Sequence, residues 1–428
     1  MRTAVVILNW NGKNYLERFL PGLIASVKDD DAEVIVADNA STDGSQDWLK
    51  TNYPDIWLIQ LDRNYGFTGG YNRAFEHVIA GPQGAADYVV PEFFLLINSD
   101  VEVSEGWFYP LQEWMEYHPD CAACAPKLLS YDNKDEFEYA GAAGGYLDMF
   151  CFPFCRGRVM SRIEVDEGQY DDPYEILWGS GACLMVRSTV WKDLGGLDES
   201  FFAHMEEIDF CWRARLAGHK VCYVPRSSVY HVGGGTLPQE SPFKLKLNYR
   251  NNLTMMRKNL GKAYVLRNLF DVLAVTAPEY AVSTDDFLSC MEVFYELPEG
   301  LRGTLLNSCS SEAIQMAKRH MRIRLFIDWC ASMVYLLKGK TSYWKAVRQA
   351  HKEYRKNKPE LDFDELREFL QEDIQNGCCK SRACLRIDLD RKTNDRVKLV
   401  GIIDAPIITL SIVARDRVFE ILDDLITD

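Results

Sequence analysis

Short apolar runs alternate with amphipathic stretches over roughly the first hundred positions of the chain. The apolar runs Ala4 to Leu8, Glu33 to Ala37, Trp57 to Leu61 and Phe93 to Ile97 read as strands, because they are short, rich in β-branched or aromatic residues and bounded by polar turns. Between them, Tyr15 to Val27, Gln46 to Asn52 and Tyr71 to Ile79 carry helical spacing, the second behind a capping cluster of Ser41, Thr42 and Asp43. Strand, helix, strand at these intervals predicts parallel βαβ units in a doubly wound sheet with right-handed crossovers. Each strand stops at polar residues: Asn9 to Gly12, Asp38 to Ser41, Asp62 to Asn64 and Asn98 to Asp100. Ligands of open α/β sheets bind in the crevice beyond the carboxyl ends of the strands, so these four ends are the first candidate site.

Past Val101 the alternation loosens. A helix over Gly106 to Tyr117 leads into an apolar run at Cys121 to Leu129, an irregular loop is expected over Ala140 to Phe154, and an apolar run follows at Ala182 to Val186. A helix over Glu206 to Ala217 and a strand at Val221 to Val224 complete a first domain, residues 1–260. Residues 261–375 are expected to be helical (Tyr264 to Thr276, Glu312 to Leu337, Tyr343 to Arg355). Residues 376–428 read as a small α+β tail with strands at Val397 to Ile403 and Ile407 to Val413 and a helix at Arg417 to Ile426.

With 428 residues, 47% of them hydrophobic, the chain can bury a sizeable core and is neither disordered nor disulfide-stapled. A net charge of -15 argues against general nucleic-acid binding. The thirteen cysteines are odd in number and scattered, and no secretory leader precedes them, so reduced, buried thiols in a cytoplasmic protein are expected. Cys121 and Cys124 form a CxxC that lacks a second ligand pair at zinc spacing. The charge is unevenly spread: Lys318 to Lys358 holds twelve basic and two acidic residues, a net +10. Inside it, Ile323 to Leu337 is too short and interrupted to cross a bilayer, and is flanked by Arg322, Arg324, Lys338 and Lys340 with Trp329, Tyr335, Tyr343 and Trp344 nearby. Two readings stand: a helix resting on an anionic membrane surface, or a buried helix followed by a solvated basic one.

Asn98, Ser99 and Asp100 end an apolar strand, where a carboxylate can hold a hard divalent cation, Mg2+ or Mn2+, beside a diphosphate. His231, ahead of Gly233, Gly234 and Gly235, is the second ligand candidate. On the helix after Met205, Glu206, Asp209 and Arg213 share a face and Glu207 points about 100° away from it. Asp209 with Arg213 reads as an i,i+4 brace, which leaves Glu207 to serve as a general base. Gly66, Gly69 and Gly70 with Tyr71, Asn72 and Arg73 open a helix directly after a strand, where phosphate is welcome. No GxGxxG follows the first strand and no GxxxxGK[ST] occurs, which disfavours dinucleotide and P-loop chemistry.

Together the runs VVILNWNG (5–12), ADNASTDGS (37–45), NYGFTGGYNRA (64–74), LLINSD (95–100), WGSGACLMVR (178–187), GGLDESFFAHMEEIDFCWRARLAG (195–218) and YHVGGGT (230–236) resemble family 2 glycosyltransferases of the GT-A fold. The branch they look most like is the bacterial rhamnosyltransferase-like enzymes of surface polysaccharide assembly. The resemblance covers about the first 260 residues and implies an α/β GT-A domain, with a Rossmann-like, mostly parallel sheet, ahead of the helical region. It implies that Asn9 and Asp38 contact the nucleoside, and that Asn39, Asp43, Gly69, Gly70, Asn72, Asn98 and Ser99 belong to the donor side. Asp100 takes the place of the metal-binding last Asp of the family's DxD, Asn98 replaces the first, and His231 matches the distal metal ligand. Trp178, Gly179, Ser180 and Gly181, with Glu206, fall on the acceptor side. Glu207 stands where the family usually has an Asp base, with Asp209 as the next candidate.

The expected activity is an inverting, metal-dependent transfer from a nucleoside-diphosphate sugar to a hydroxyl of a saccharide or lipid-linked saccharide, with the enzyme peripheral on the inner face of the cytoplasmic membrane. A non-catalytic nucleotide-sugar-binding protein at the membrane surface is the alternative. A sugar-phosphate nucleotidyltransferase is a weaker one, because the loop Asn9 to Lys13 holds a single glycine.

Overall fold

The computed structural model describes residues 2–82, 87–148, 150–159, 162–233, 241–276 and 299–359. The four leading strands form as the pattern predicts: β1 (Thr3–Asn9), β2 (Ala32–Asp38), β3 (Trp57–Gln60) and β4 (Phe93–Asn98), separated by α1 (Lys13–Val27), α2 (Ser45–Asn52) and α3 (Gly66–Ala80). After them come β5 (Val101–Val103), α4 (Phe108–Tyr117) and β6 (Cys121–Ser130), then the short strands β7 (Gly145–Leu147), β8 (Pro153–Cys155), β9 (Arg158–Val159), β10 (Arg162–Ile163) and β11 (Tyr174–Glu175). The domain closes with β12 (Cys183–Arg187), α5 (Ser188–Asp193), α6 (Glu206–Leu216) and β13 (Lys220–His231).

The main sheet has the order β11-β13-β6-β12-β4-β1-β2-β3, with β5 paired to β13. It is mixed: β3, β2, β1 and β4 are mutually parallel, as are β13 and β6, while β12 runs antiparallel between β4 and β6. Both faces of the central strands are covered, so they read as continuous apolar runs. On one face Val5, Ile7, Leu95 and Ile97 pack with Leu16, Leu20 and Leu23 of α1 and with Phe108 and Leu111 of α4. On the other, Phe94 stacks on Phe75 of α3 at 4.4 Å, and a Cβ on Gly70 would come 2.6 Å from Leu8 Cδ2, so α3 lies directly on β1.

Three expectations about the elements of this domain need correction. The helix expected from Tyr71 starts at Gly66, because its first amides find partners outside the helix: Tyr65 N donates to Asn39 Oδ1, Gly66 N to Asn64 Oδ1, and Phe67 N and Thr68 N to Phe202 O. The stretch Ala140 to Phe154, expected as an irregular loop, contains β7 and β8, which join β9 and β10 in a separate four-stranded sheet. The strand expected at Val221 to Val224 continues to His231, with a register shift between Val224 and Ser228. Polar Arg226, Ser227 and Ser228 mask its second half in the sequence.

The chain divides into two compact units, the first holding Met1–Tyr146, Phe154–Ala214 and Lys220–Gln239. Residues 242–260, expected to end the first domain, instead open α7 (Pro242–Thr276) of the second unit, which also holds α8 (Glu299–Leu337) and α9 (Thr341–Asn357). α7 runs through residue 260 without interruption, so no boundary falls there. The strands and helix expected in residues 376–428 lie outside the described residues.

Within the second unit Arg324 is buried, correcting its assignment as a membrane-facing cation. Its guanidinium donates to Asp328 Oδ1 (2.8 Å), Asn252 Oδ1 (2.6 Å) and Phe150 O (3.0 Å), and lies over the Phe152 ring. An ion pair this deep is held by its hydrogen bonds, and removing one partner would strand a buried charge. No helix among the described residues is long and apolar enough to cross a membrane.

Candidate active site

Parallel pairing places Asn9 opposite Asp38 and Leu8 opposite Asn98, so the ends of β1, β2 and β4 stand side by side at one edge of the sheet. The polar residues expected there do meet, but several hold each other. Asp38 is fully buried and accepts from Asn9 Nδ2 (2.8 Å), Ser41 N (2.9 Å) and Gln46 Nε2 (2.5 Å). Asn9 Oδ1 is left without a partner at the floor, where a Cβ on Gly12 would come 2.6 Å from it and 3.0 Å from Ser99 Oγ. A buried acceptor without a donor is costly, and a floor that keeps one is a place for a ligand's hydrogen-bond donor. Asn39 stitches the ends of β2 and β3 together through Asn64 and Gly66, and Asp43 accepts from Lys13 N at the start of α1.

Two donor-side expectations change. The N-terminus of α3 does not offer free amides to a phosphate, because Phe202 O already takes Phe67 N and Thr68 N. Asn72 does not reach out of α3; its amide clasps Leu197 twice, donating to its carbonyl (2.7 Å) and accepting from its N–H (2.9 Å). Gly69 and Gly70 are buried in the same helix. On the acceptor side, the Trp178 indole is buried, packs on Gly145 and donates to Tyr146 O (2.9 Å), which anchors the loop Gly179, Ser180, Gly181 to the domain.

The cation candidates come together. Asp100, just past β4, and His231, the last residue of β13, are both buried, with His231 Nε2 3.3 Å from Asp100 Oδ1. The far nitrogen, Nδ1, lies 3.3 Å from Glu138 Oε1. Burial works against a charged ring, yet the hydrogen bonds to Asp100 and Glu138 outweigh it and hold His231 up at about 10. Glu138 escaped the sequence reasoning; its one signal is an acid inside the apolar run Phe137 to Ala143, where it is 3% exposed. Among the described residues no three His, Cys, Asp or Glu side chains gather to hold a metal on their own. One carboxylate and one imidazole nitrogen on one side suit a cation that takes its other ligands from a bound diphosphate and water.

The carboxylates of α6 sort as their spacing predicts. Asp209 is fully buried and braced by Arg213 Nε (2.8 Å), whose other nitrogens hold Leu194 O and Gly196 O. Glu206 is buried with Oε2 unpartnered, and burial beside Glu207 pushes its carboxyl well up. Burial also raises Glu207 to about 7, against the pull of the backbone amides of Glu207, Ile208 and Met205 at the helix start. Glu207 faces the sheet edge: a Cβ on Gly181 would sit 3.7 Å from Glu207 Cβ and 3.1 Å from the Phe67 ring, and the next residue, Ala182, accepts from Asn98 N. The buried Cys155 thiol is pushed up to about 12, chiefly by burial.

A family model described as glycosyl transferase family 2 matches residues 4–195. The N-acetylglucosaminyl-diphospho-decaprenol L-rhamnosyltransferase of Mycobacterium tuberculosis is 26% identical over 230 residues, covering 53% of this chain and 75% of that protein. Rhamnosyltransferase WbbL of Escherichia coli K12 is 24% identical over 227 residues, covering 53% and 82%. A solved mannosyltransferase, PcManGT from Pyrobaculum calidifontis in complex with GDP-Man and Mn2+, aligns over 82% of this chain and 86% of that one at TM-score 0.41 and 12% identity.

Proposed function

The chain is a family 2 glycosyltransferase resembling rhamnosyltransferases, and from that premise we propose that it transfers a sugar from a nucleoside-diphosphate donor to a hydroxyl acceptor with inversion. The observation that supports the reading is the position of Glu207, a buried carboxylate raised to about 7, next to Gly181 and so to the end of β4, which Asp100 follows. Such a group is deprotonated often enough at pH 7 to accept a proton and basic enough to pull one. Glu207 takes the acceptor hydroxyl's proton as that oxygen bonds to the anomeric carbon. The bond from that carbon to the diphosphate oxygen breaks on the opposite face, and the nucleoside diphosphate leaves with the electron pair. A divalent cation held by Asp100 and His231 would supply positive charge to the departing diphosphate. Asp209 and Arg213 keep α6 in place, and Asn9, Asp38 and Asn39 set the floor on which the donor lies.

A panel of nucleoside-diphosphate sugars, assayed for release of free nucleoside diphosphate with and without Mn2+, tests the reading. One donor is expected to be consumed in a cation-dependent way. Binding of a donor without turnover under any condition would turn the protein into a nucleotide-sugar-binding one.

The rhamnosyltransferase relative acts, by its name, on a diphospho-decaprenol, and a lipid-linked acceptor here would be presented at a membrane. The reading that the basic helices meet an anionic lipid surface rests on the outer side of α8. There Ile323, Phe326 (62% exposed), Trp329 (54%) and Leu337 (74%) stand among the exposed Lys318, Arg319, Arg322, Lys338 and Lys340. Apolar anchors ringed by cations complement anionic headgroups over an acyl layer. The parent chain is expected to sediment with vesicles containing phosphatidylglycerol and not with phosphatidylcholine alone. Replacing both Phe326 and Trp329 by serine should release it. Unchanged sedimentation of that variant, or none by the parent, overturns the membrane reading.

A further inference from the structure

We propose that Glu138 is a positioning residue for the cation site, its carboxylate fixing the ring of His231 so that Nε2 and Asp100 face one coordination point. The inference rests on the proposed cation role of Asp100 and His231 and adds the group that makes it work. A neutral imidazole offers a lone pair on one nitrogen only if the other carries the hydrogen. Both ring nitrogens face a carboxylate at 3.3 Å, Nδ1 that of Glu138 and Nε2 that of Asp100; a cation between Nε2 and Asp100 would take the place of the hydrogen on Nε2, and Glu138 would keep the one on Nδ1. Carboxylates that orient metal-binding histidines in this way are worth about 10- to 100-fold in metal affinity.

Glu138 does not depend on the ring for its own place. Its N–H donates to Leu128 O, its Oε2 accepts from Ala140 N, and Gly233, at φ +71°, brings the chain past it, where a Cβ would lie 3.3 Å from Oε1. Two buried carboxylates against one imidazole leave a negative charge unbalanced even when the ring is charged, and an unbalanced buried charge is costly. The excess is explained when a divalent cation joins the pair.

The test titrates Mn2+ into the full chain, with and without a nucleoside diphosphate, and follows the free ion by electron paramagnetic resonance. Asp100→Asn and His231→Ala should remove the site. Glu138→Ala should weaken Mn2+ binding by about 10- to 100-fold, and Glu138→Gln, which keeps an acceptor for Nδ1, by less. Thermal melts of the glutamine variant, expected near the parent's, separate this from misfolding. Loss of Mn2+ in the Asp100 and His231 variants with full retention in both Glu138 variants overturns the positioning role alone. Absence of Mn2+ binding by the parent chain, or its survival in the Asp100 and His231 variants, overturns the cation reading and this inference with it.

Discussion

Glu207→Gln is expected to lower turnover by about 10²- to 10⁴-fold, the usual contribution of a positioned general base, while donor binding stays close to the parent's. The same change should make the protein more stable at pH 8. Burial raises the folded carboxyl to about 7, above its ordinary value near 4.5, so the folded state prefers the protonated form. The stability this contributes is fully present below about 4.5 and is lost as pH rises through about 7. Glu206 is shifted in the same direction. Glutamine holds no charge, so the variant should keep stability that the parent loses over that window. Kinetically the parent's rate should fall on the acid side of about 7, as the base is protonated. Rate profiles and thermal melts across pH 5–9 check both halves. Parent-like turnover in the variant would remove Glu207 from the role.

The proposed base, Glu207, follows strained backbone. Phe202, His204 and Met205, all non-glycine, take φ values of 67°, 71° and 74° just before α6. Such conformations persist where surrounding contacts over-determine them, and they gather at functional sites. Here the contact is visible: Phe202 O caps the amides of Phe67 and Thr68, and Gly66, at φ +72°, leaves the space into which the Phe202 ring fits, a Cβ there coming 2.5 Å from it. The amides that the sequence assigns to a phosphate are thus used to hold the turn that presents Glu206 and Glu207.

This also marks where sequence reasoning stops. β1 to β4 and α1 were legible because apolar period and polar ends are local signals, the Asp209–Arg213 brace followed from helical spacing, and strand ends and spacing singled out Asp100, His231 and Glu207 as candidates. The early start of α3 was hidden, since its capping groups come from Asn39, Asn64 and Phe202, distant in the chain or outside the helix. Asn72 looked like a ligand residue and proved to be a clasp on Leu197, because an amide's partner is set by tertiary contact. Arg324 looked like a surface cation for a similar reason: Asn252 and the backbone at Phe150, which bury it, are far away in sequence. Glu138 became visible only when β13 carried His231 beside it.

Asp100→Asn is the second large effect, expected to cost about 10²- to 10³-fold in kcat, the range seen when one preorganised electrostatic group is removed from a developing charge. Asparagine keeps the shape at a buried position after β4, where Val232 N donates to the backbone carbonyl of residue 100, so the pairing of β5 with β13 should survive. Only the carboxylate charge beside His231 Nε2 is lost. The residual activity should then no longer respond to chelator or to added Mn2+ or Mg2+, whereas the parent should stop with chelator and recover with either ion. The acid limb set by Glu207 should remain near 7 in this variant, because Asp100 is not among the groups that raise that carboxyl. Assays over a cation series at several pH values separate the two roles. An Asp100→Asn variant that keeps both its rate and its cation response would show that the cation is held elsewhere, and would remove Asp100 from the role while leaving Glu207 as the proposed base.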